Sequence, residues 1–334
     1  LIVDQSADKR LAIVADDFGK NNSVNEAIIR LGKECLITGA AIMPNGRYLD
    51  RGLEQLAAEN INIDYCAHLN ITDNLPLLAN TFSDRGISLR NFLIKMATGT
   101  LNYRGIRDEF TAQIDSLLDR NINIVQLNTH HHIHYHLPIC SILIDIAQSY
   151  KIPFIRMPFE NFVSIKDILS IRNCLKRLTK LNQYAFSRKL SLGSVKATNH
   201  FSGLYATPYL SKDYLNKLLN RLNPGLTELV CHPTYDSLKG DLESLQLLTK
   251  ETLHSKGITL TSLNKEYVNL QQKLMYLQKH EFDLAFSHHH EVEVYSKLTG
   301  VPFVFLPFGF DHRRFEYRGE PKVIDLTFSG LLQN

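Results

Sequence analysis

The sequence predicts an α/β fold built around a parallel sheet. Over most of the chain, short apolar segments with strand character alternate with segments whose apolar residues recur at the three- and four-residue spacing of helices. Several strand-like segments end in acidic residues or histidines, as strands do where an α/β sheet carries a ligand. These two observations predict a (β/α) barrel or a doubly wound sheet, with a functional site at the carboxyl ends of the strands.

Eight strands are predicted, each a run rich in aliphatic residues and bounded by polar or turn residues. In chain order they cover residues 11–15, 36–42, 61–71, 122–130, 153–157, 195–200, 228–232 and 258–263. The first helix is predicted to begin at Ser23. Ser23-Val-Asn-Glu26 has the capping-box pattern, and the apolar residues after it recur at helical spacing.

The first strand ends in two adjacent acids, Asp16 and Asp17. One carboxylate of such a pair can bind a cation while its neighbour accepts a proton. A simple turn is the alternative, because Asp and Gly are favoured in loops.

The third strand delivers a histidine to a comparable position. In His68-Leu-Asn-Ile-Thr72 the period of two sends His68, Asn70 and Thr72 to one side. A single strand histidine is more often a core or surface residue than a ligand. The parallel with the other strand ends favours a ligand here.

The fourth strand runs into five histidines within residues 130–136. If the strand continues, His130, His132, His134 and His136 lie on one face and His131 points away. Imidazole is the commonest transition-metal ligand in proteins. The strand ends therefore supply one or two carboxylates and two imidazoles, the ligand set of a catalytic divalent-metal site.

The ordered set of motifs resembles that of the YdjC-like carbohydrate deacetylases, over about residues 9–265. The motifs are Ala15-Asp-Asp-Phe-Gly19, Asn25-Glu-Ala-Ile28, Met43-Pro-Asn-Gly46, His68-Leu-Asn-Ile-Thr72, the histidine run, Ile155-Arg156 and Glu228-Leu-Val-Cys-His232-Pro233. The resemblance implies a distorted (β/α) barrel that removes acetyl groups from N-acetylated amino sugars, either oligosaccharides or lipid-linked sugars. It also implies one divalent cation, Mg²⁺ or Zn²⁺.

The resemblance further implies roles for individual residues. The metal ligands would be Asp17, His68 and His130, with Asp16 as the general base and His232 as the proton donor.

Further residues are assigned around these. Arg156 would orient Asp16 or tune its charge, and a purely structural salt bridge is the alternative. Asn45, Asn70, His132 and His134 are predicted to contact the substrate.

The sequence departs from the family in the histidine run. The family pattern reads His-x-Asp-x-His-x-His-x-His, whereas this chain has Gln126 and Asn128 at the first two of these positions. A carboxylate that accepts a hydrogen bond from a metal-bound imidazole raises its basicity, and an amide oxygen accepts the same bond without the charge. Metal affinity is therefore expected to be reduced, and Asn128→Asp is expected to raise it, by up to about 10–100-fold.

The chain is predicted to have two parts, 1–265 and 266–334. The second part would begin with a linking helix. Residues 283–311 and 325–330 resemble a fragment of a two-domain glycosyltransferase of the GT-B type, with a partial Rossmann-like segment. Because the donor-binding domain of such an enzyme is not included, either the chain is a fragment of a longer bifunctional protein or the tail is a remnant.

A basic segment interrupts the predicted barrel. Residues 168–212 contain eight Lys or Arg and no Asp or Glu, and the first half has amphipathic helical spacing. A solvated helix face is one interpretation. Peripheral contact of 168–196 with anionic lipid headgroups or a lipid-linked sugar phosphate is the other.

Composition excludes several function classes. The chain has 334 residues, 44% of them hydrophobic, and no run long enough for a membrane span or pattern of a signal peptide. Five cysteines without a CxxC pair predict reduced thiols and a cytoplasmic location. A net charge of +3 is too small to indicate nucleic acid binding, and homodimer formation is compatible with the sequence.

Two other functions remain open at this point. A metal-dependent phosphoesterase could use the same acids and histidines, although two-metal phosphoesterases need more carboxylates. An inactive sugar-binding remnant would fit the presence of Asn128.

Overall fold

The computed structural model describes residues 8–73, 75–78, 87–157, 159–160, 187, 190, 195–204, 206, 209–236, 241–279, 285–287 and 303–305. The chain divides into two compact units, Leu1–Gln272 and Lys273–Asn334.

A parallel sheet of eight strands forms the frame of the first unit. The strands are β1 (Lys9–Phe18), β2 (Gly39–Ile42), β3 (Asp64–Leu69), β4 (Ile124–Thr129), β5 (Phe154–Ile155), β6 (His200–Ser202), β7 (Gly225–Cys231) and β8 (Ile258–Leu260). Seven lie in the order β5-β4-β3-β2-β1-β7-β6, and β8 pairs with the start of β1. Each predicted strand has a counterpart, and only the sixth is displaced, because residues 195–199 contain only isolated bridges, at Lys196 and Ala197, before β6 begins.

Helices connect the strands, as parallel pairing requires. They are α1 (Asn22–Lys33), α2 (Leu49–Ala58), α3 (Leu89–Ala97), α4 (Tyr103–Leu118), α5 (Leu137–Ser149), α6 (Lys212–Arg221), α7 (Asp241–Leu245), α8 (Lys250–Ser255) and α9 (Leu263–Lys279). The apolar faces of these helices and the outer face of the sheet form the main hydrophobic core.

The two ends of the sheet approach each other. Isolated parallel bridges join Phe154 to Lys196 and Glu160 to Phe201, so the chain around β5 meets the chain around β6. The sheet is therefore a half-barrel of parallel strands, and the predicted distorted (β/α) barrel is confirmed.

The start of α1 differs from the prediction. The cap residue is Asn21, whose side chain accepts a hydrogen bond of 2.9 Å from the backbone N–H of Val24. Ser23 lies inside the helix, where its hydroxyl contacts Thr234 at 3.0 Å and accepts from the N–H of Tyr235 at 2.9 Å. Ser23 thus ties α1 to the loop after β7, so the predicted capping role is wrong.

The histidine run does not continue β4, and the predicted ladder of histidines on one face is wrong. The strand ends at Thr129, and a 3-10 turn follows over His130–Tyr135. His131 and His132 have φ angles of 54° and 51°, in the left-handed region, which turns the chain away from the strand direction. The Thr129 hydroxyl closes this turn by accepting a hydrogen bond of 3.2 Å from the backbone N–H of His134.

Helix α9 closes the amino-terminal end of the half-barrel. Leu263 and Tyr267 pack against the inward-facing apolar residues of the sheet. The N–H of Asn264 donates to Asp64 at 2.9 Å, and Glu266 pairs with Arg10. The predicted boundary at residue 265 therefore falls inside a helix whose first turns belong to the barrel. The first unit extends to Gln272 instead.

In the second unit, β9 (Ala285–Ser287) and β10 (Phe303–Phe305) pair in parallel. The remaining residues of the predicted glycosyltransferase-like segment, and nearly all of the basic segment before Val195, lie outside the described residues.

Among the described helices, none has the length and apolar character needed to cross a bilayer.

Lys196 introduces a charge near the closed end of the half-barrel. Its side chain is only 7% exposed and its Nζ lies 5.2 Å from the centre of the Tyr267 ring. Burial disfavours the ammonium form and lowers the pKa of Lys196 to about 8.

Lys196→Met should stabilise the protein at pH 7, by about 2–3 kcal/mol, because the unfolded chain no longer has to give up a hydrated charge. The pKa is lower in the folded state, so the cost is fully present below pH 8 and disappears as pH approaches the unfolded value near 10.5. Urea unfolding of both proteins between pH 7 and 10.5 should show the advantage of the variant shrinking. A pH-independent difference would contradict this account.

Candidate metal centre

A β-bulge at the end of β1 brings two consecutive acids into one site. Adjacent strand residues normally face opposite sides of a sheet. Between Ala15 and Phe18, however, β1 carries one residue more than β2, and Asp17 has a φ of 72°. Bulges of this kind redirect side chains beside active sites. Both Asp16 and Asp17 therefore reach the space above the carboxyl ends of the strands.

Asp17, His68 and His130 converge, as predicted. Oδ1 of Asp17 lies 3.3 Å from Nε2 of His68 and 3.0 Å from Nδ1 of His130, and the two ring nitrogens are 3.2 Å apart. In the described part of the chain, this is the one group of three acidic, histidine or cysteine residues able to share an ion.

The donor atoms fit a divalent cation. Bonds of about 2.0–2.2 Å from one ion to nitrogen and oxygen ligands place neighbouring donors about 3 Å apart. Among the described residues, Oδ1 of Asp17 is buried without a hydrogen-bond partner, which is costly unless something positive lies beside it. Burial opposes ionisation of Asp17, but the two imidazoles hold its pKa well below the ordinary value. Asp17 is thus an anion with a free oxygen directed at two imidazoles.

Each imidazole is oriented through its other nitrogen. Nδ1 of His68 donates to Oδ1 of Asn128 at 2.5 Å, and Nε2 of His130 lies 3.3 Å from a carboxylate oxygen of Asp73. Such outer partners determine the tautomer of a metal-binding histidine. The predicted role of Asn128 as a partner of a ligand agrees with this geometry.

Asp73 comes from the loop after β3 and belongs to the rim of the site. Lys20 bridges the rim, with its Nζ 2.9 Å from Asp73 and 3.4 Å from Oδ2 of Asp17. The nearby His130 ring is the main cause that lowers the pKa of the Asp73 carboxyl. The rim therefore has a carboxylate and an ammonium group beside the ligands.

Asp16 is held by Arg156. The guanidinium donates two hydrogen bonds, from Nη1 to Oδ2 at 2.7 Å and from Nη2 to Oδ1 at 2.9 Å, and its Nε donates to Glu228 at 2.6 Å. All three side chains are fully buried. Burial opposes ionisation of Asp16, but Arg156 and then His68 outweigh it and lower its pKa.

Two amides connect Glu228 to His68, one of the three residues of the candidate metal centre. Nε2 of Gln126 donates to Oε2 of Glu228 at 2.8 Å, and Nδ2 of Asn128 donates to Oε1 of Gln126 at 3.1 Å. Burial raises the pKa of Glu228, while Arg156 and Gln126 oppose the rise. An unbroken chain of hydrogen bonds therefore runs from Asp16 to His68.

His232 lies at the open side of Asp16. Its Nε2 is 3.9 Å from Oδ2 of Asp16, and its side chain is 23% exposed. The buried carboxylate of Asp241 accepts a hydrogen bond of 2.6 Å from its backbone N–H, which fixes the loop after β7. This position is compatible with proton transfer to a bound molecule.

Two of the predicted substrate-binding residues support the loop after β3 instead. Nδ2 of Asn45 donates to the carbonyl oxygens of Asn70 and Leu75, both at 3.1 Å. Asn70 is fully buried, and its side-chain oxygen accepts from the backbone N–H groups of Thr72 and Asp73. These contacts position the loop that carries Asp73, and they leave Asn70 without a surface for substrate.

The other two predicted substrate residues differ from each other. His134 is fully buried and its ring bonds to the Thr129 hydroxyl and the carbonyl oxygen of Arg156, so it supports the site from behind. His132 lies edge-on to Phe201, and its buried Nδ1 lacks a hydrogen-bond partner among the described residues. Of these two histidines, only His132 has a ring nitrogen without a hydrogen-bond partner among the described residues.

Sequence reasoning missed Asp73, Lys20 and Glu228. For Glu228 a signal was available: it lies four residues before His232, so the period of two in β7 places both on the inner face. Asp73 and Lys20 lie in loops, where no periodicity indicates a direction.

The chain is similar in sequence to known carbohydrate deacetylases. The family model described as YdjC-like protein matches residues 10–285. A carbohydrate deacetylase of Thermoanaerobacter pseudethanolicus is 23% identical over 68% of this chain and 82% of the relative. A carbohydrate deacetylase of Vibrio parahaemolyticus is 25% identical over 74% of this chain and 92% of the relative.

A solved structure has a similar fold. The crystal structure of a putative cellobiose-phosphate cleavage protein from Enterococcus faecalis superposes with a TM-score of 0.61 at 20% identity. The match covers 77% of this chain and 98% of that protein.

Proposed function

The chain belongs to the YdjC-like protein family, and from this premise we propose that it is a metal-dependent carbohydrate deacetylase acting on N-acetylated amino sugars. The names of the curated relatives support the reaction class. The observation that carries the proposal is the convergence of Asp17, His68 and His130 beside an ionised Asp16.

Hydrolysis of the acetamide adds the oxygen of water to the acetyl carbon and breaks the bond to the sugar nitrogen. One proton must leave the water and another must reach the nitrogen. A divalent cation held by Asp17, His68 and His130 would polarise the acetyl carbonyl and lower the pKa of water from 15.7 toward ~7.

Asp16 is the proposed base. Its paired oxygens stay ionised at neutral pH because Arg156 lowers its pKa, and a weak base suits a water molecule that is already acidic. Arg156 positions both carboxylate oxygens and is itself held by Glu228.

His232 is the proposed proton donor to the departing amine. It is the one predicted catalytic side chain with appreciable exposure, and its Nε2 lies 3.9 Å from Oδ2 of Asp16, so both groups face the same space.

Substrate contacts would come from His132 and from a cleft beside the loop after β7. Nδ1 of His132 has no partner among the described residues, but because this atom is buried, the ring would have to turn before it could contact a hydroxyl or acetyl oxygen. The cleft has a volume of about 450 Å³ and is lined by Tyr48 and Tyr235, with Asn22 and Asp236 as polar groups. Tyrosine faces and amides suit a neighbouring sugar of an oligosaccharide.

A phosphoesterase is less well supported. Two-metal phosphoesterases hold their ions about 3.5–4 Å apart with several carboxylates. In the described part of this chain, the ligand cluster has one carboxylate, Asp17.

Several finer predictions remain proposals. They are the choice between Mg²⁺ and Zn²⁺, a lipid-linked substrate, contact of 168–196 with a membrane surface, a homodimer and a cytoplasmic location. The glycosyltransferase interpretation of the tail receives no support from the family match, which ends at residue 285.

The proposal is tested by measuring acetate release from N-acetylglucosamine oligomers and from lipid-linked N-acetyl amino sugars, with p-nitrophenyl phosphate as the phosphoesterase substrate. Acetate release with metal added, and no phosphate release, is the expected result. Phosphate release without acetate would favour the phosphoesterase, and no product from any substrate would favour the inactive remnant.

A further inference from the structure

We infer that Glu228 is a positioning residue that determines which nitrogen of His68 carries the proton, through the two amides of Gln126 and Asn128. The inference deepens the proposed function and rests on it only for the identity of the site as a metal centre. The hydrogen bonds of Glu228 go to Arg156 and Gln126, and it acts on His68 only through Gln126 and Asn128.

Water cannot replace the hydrogen-bond partners of these three side chains, because all three are buried. Glu228, Gln126 and Asn128 are each fully buried, and every link is a hydrogen bond of 2.5–3.1 Å. Buried polar groups of this kind must satisfy one another.

The direction of each hydrogen bond follows from the two charged groups at one end. Arginine can only donate, and an ionised glutamate can only accept. Glu228 therefore accepts from Arg156 and also from Gln126, which must present its NH₂ group.

The same direction passes along the chain to His68. Because Gln126 presents its oxygen to Asn128, Asn128 donates to Gln126 and presents its own oxygen to His68. His68 then keeps its proton on Nδ1 and has a free lone pair on Nε2, the atom beside Asp17 and His130.

An amide at position 128 makes this dependence necessary. An aspartate would accept from His68 whatever its neighbours did, whereas an asparagine can turn either its oxygen or its NH₂ group toward the ring. Glu228 thus fixes the orientation of the Gln126 amide, which in turn determines whether Asn128 presents its oxygen or its NH₂ group to His68.

This arrangement changes the expected effect of Asn128→Asp. With Glu228 present, the new carboxylate would face the oxygen of Gln126, which cannot turn without losing its bond to Glu228. The single variant should therefore be less stable than the wild type, and the gain in metal affinity expected from the sequence alone should not appear.

Glu228→Gln should reverse the donor–acceptor direction of every hydrogen bond from Gln126 to His68. Arg156 requires an oxygen, so the introduced glutamine would turn its NH₂ group to Gln126. Gln126 would then turn its NH₂ group to Asn128, and Asn128 its NH₂ group to His68. His68 would carry its proton on Nε2, and Zn²⁺ affinity should fall at least tenfold.

Asn128→Asp in the Glu228→Gln background should restore the site. Each group is again paired, since the introduced glutamine donates to Gln126, Gln126 donates to the introduced aspartate, and that aspartate accepts from His68. The double variant has the same net charge as the wild type. It should regain the Nδ1–H form of His68, wild-type or tighter Zn²⁺ affinity, and a melting temperature above that of the Asn128→Asp variant.

The experiment combines ¹⁵N NMR of the histidine rings in the metal-free proteins, calorimetric titration with Zn²⁺ and thermal unfolding. Glu160→Gln is the matched control, because Glu160 is 1% exposed and accepts from Tyr214 and Gly203, outside this chain of contacts. It should leave the His68 tautomer and the Zn²⁺ affinity unchanged.

The inference is overturned if Glu228→Gln keeps the Nδ1–H tautomer and the Zn²⁺ affinity, or if the double variant binds as weakly as Glu228→Gln. Should Glu228→Gln fail to fold, the melting temperatures of Asn128→Asp and the double variant decide, and a less stable double variant contradicts the inference. Absence of acetate release with the expected tautomers would contradict only the proposed function.

Discussion

Asp16→Asn should lower kcat/KM for acetate release by about 10²–10⁴-fold, the range associated with loss of a general acid or base. Asparagine is nearly isosteric but cannot take a proton from water. The affinity for Zn²⁺ should change little, because Asp16 is not in the group of ligands. Steady-state acetate measurements and calorimetric titration of the same preparation separate the two effects.

Asp64→Asn provides the matched control. Asp64 is a partly buried carboxylate at the start of β3, where it accepts from the backbone N–H of Asn264 at the closed end of the barrel. Its replacement should leave kcat/KM within a few-fold of the wild type. A loss of less than tenfold in Asp16→Asn, or an equal loss in both variants, would remove Asp16 from the mechanism.

Arg156→Met should destabilise the folded protein by at least about 3–5 kcal/mol. Methionine fills much of the volume but leaves Asp16 and Glu228 as buried carboxylates with no counter-charge. Without Arg156 the pKa of both carboxyls rises, so the variant should gain stability relative to wild type as pH falls and they become protonated. Urea unfolding at pH 5 and pH 7.5 measures this change.

Arg156→Lys distinguishes charge from geometry. A lysine keeps the charge but cannot donate in parallel to both oxygens of Asp16 while also reaching Glu228. We expect most of the stability to return and acetate release to stay low. Full activity in Arg156→Lys would show that the paired hydrogen bonds are unimportant for Asp16.

The sequence predicted the order and type of the strands because aliphatic periodicity is a local property. The sequence-based prediction failed where a contact with a residue distant in sequence outweighs the local sequence pattern. Ser23 has a better capping pattern than Asn21, yet its hydroxyl bonds to the loop after β7, a partner more than 200 residues away in the chain. The end of the barrel was placed too early, at residue 265, because the contacts of Tyr267 and Glu266 are also distant in sequence.

The convergence of Asp17, His68 and His130 was predictable because each lies at a strand end, where periodicity gives a direction. Periodicity could not predict which residues have left-handed backbone conformations. The bulge at Asp17 was not foreseen, and the positive φ angles of His131 and His132 broke the expected ladder. The contacts of Asn128 depend on Glu228, one hundred residues away, and so the expected gain from Asn128→Asp had to be revised.

The central claim is that Asp17, His68 and His130 hold one divalent ion that deacetylation requires. It is tested most directly by titrating the metal-free protein with Zn²⁺ or Mg²⁺ while acetate release from N-acetylglucosamine oligomers is recorded, with Asp17→Asn in parallel. Activity should be absent at the start, rise to saturation at one ion per chain, and remain absent in Asp17→Asn. Full acetate release by the metal-free protein, or by Asp17→Asn at the same metal concentration, would contradict the account.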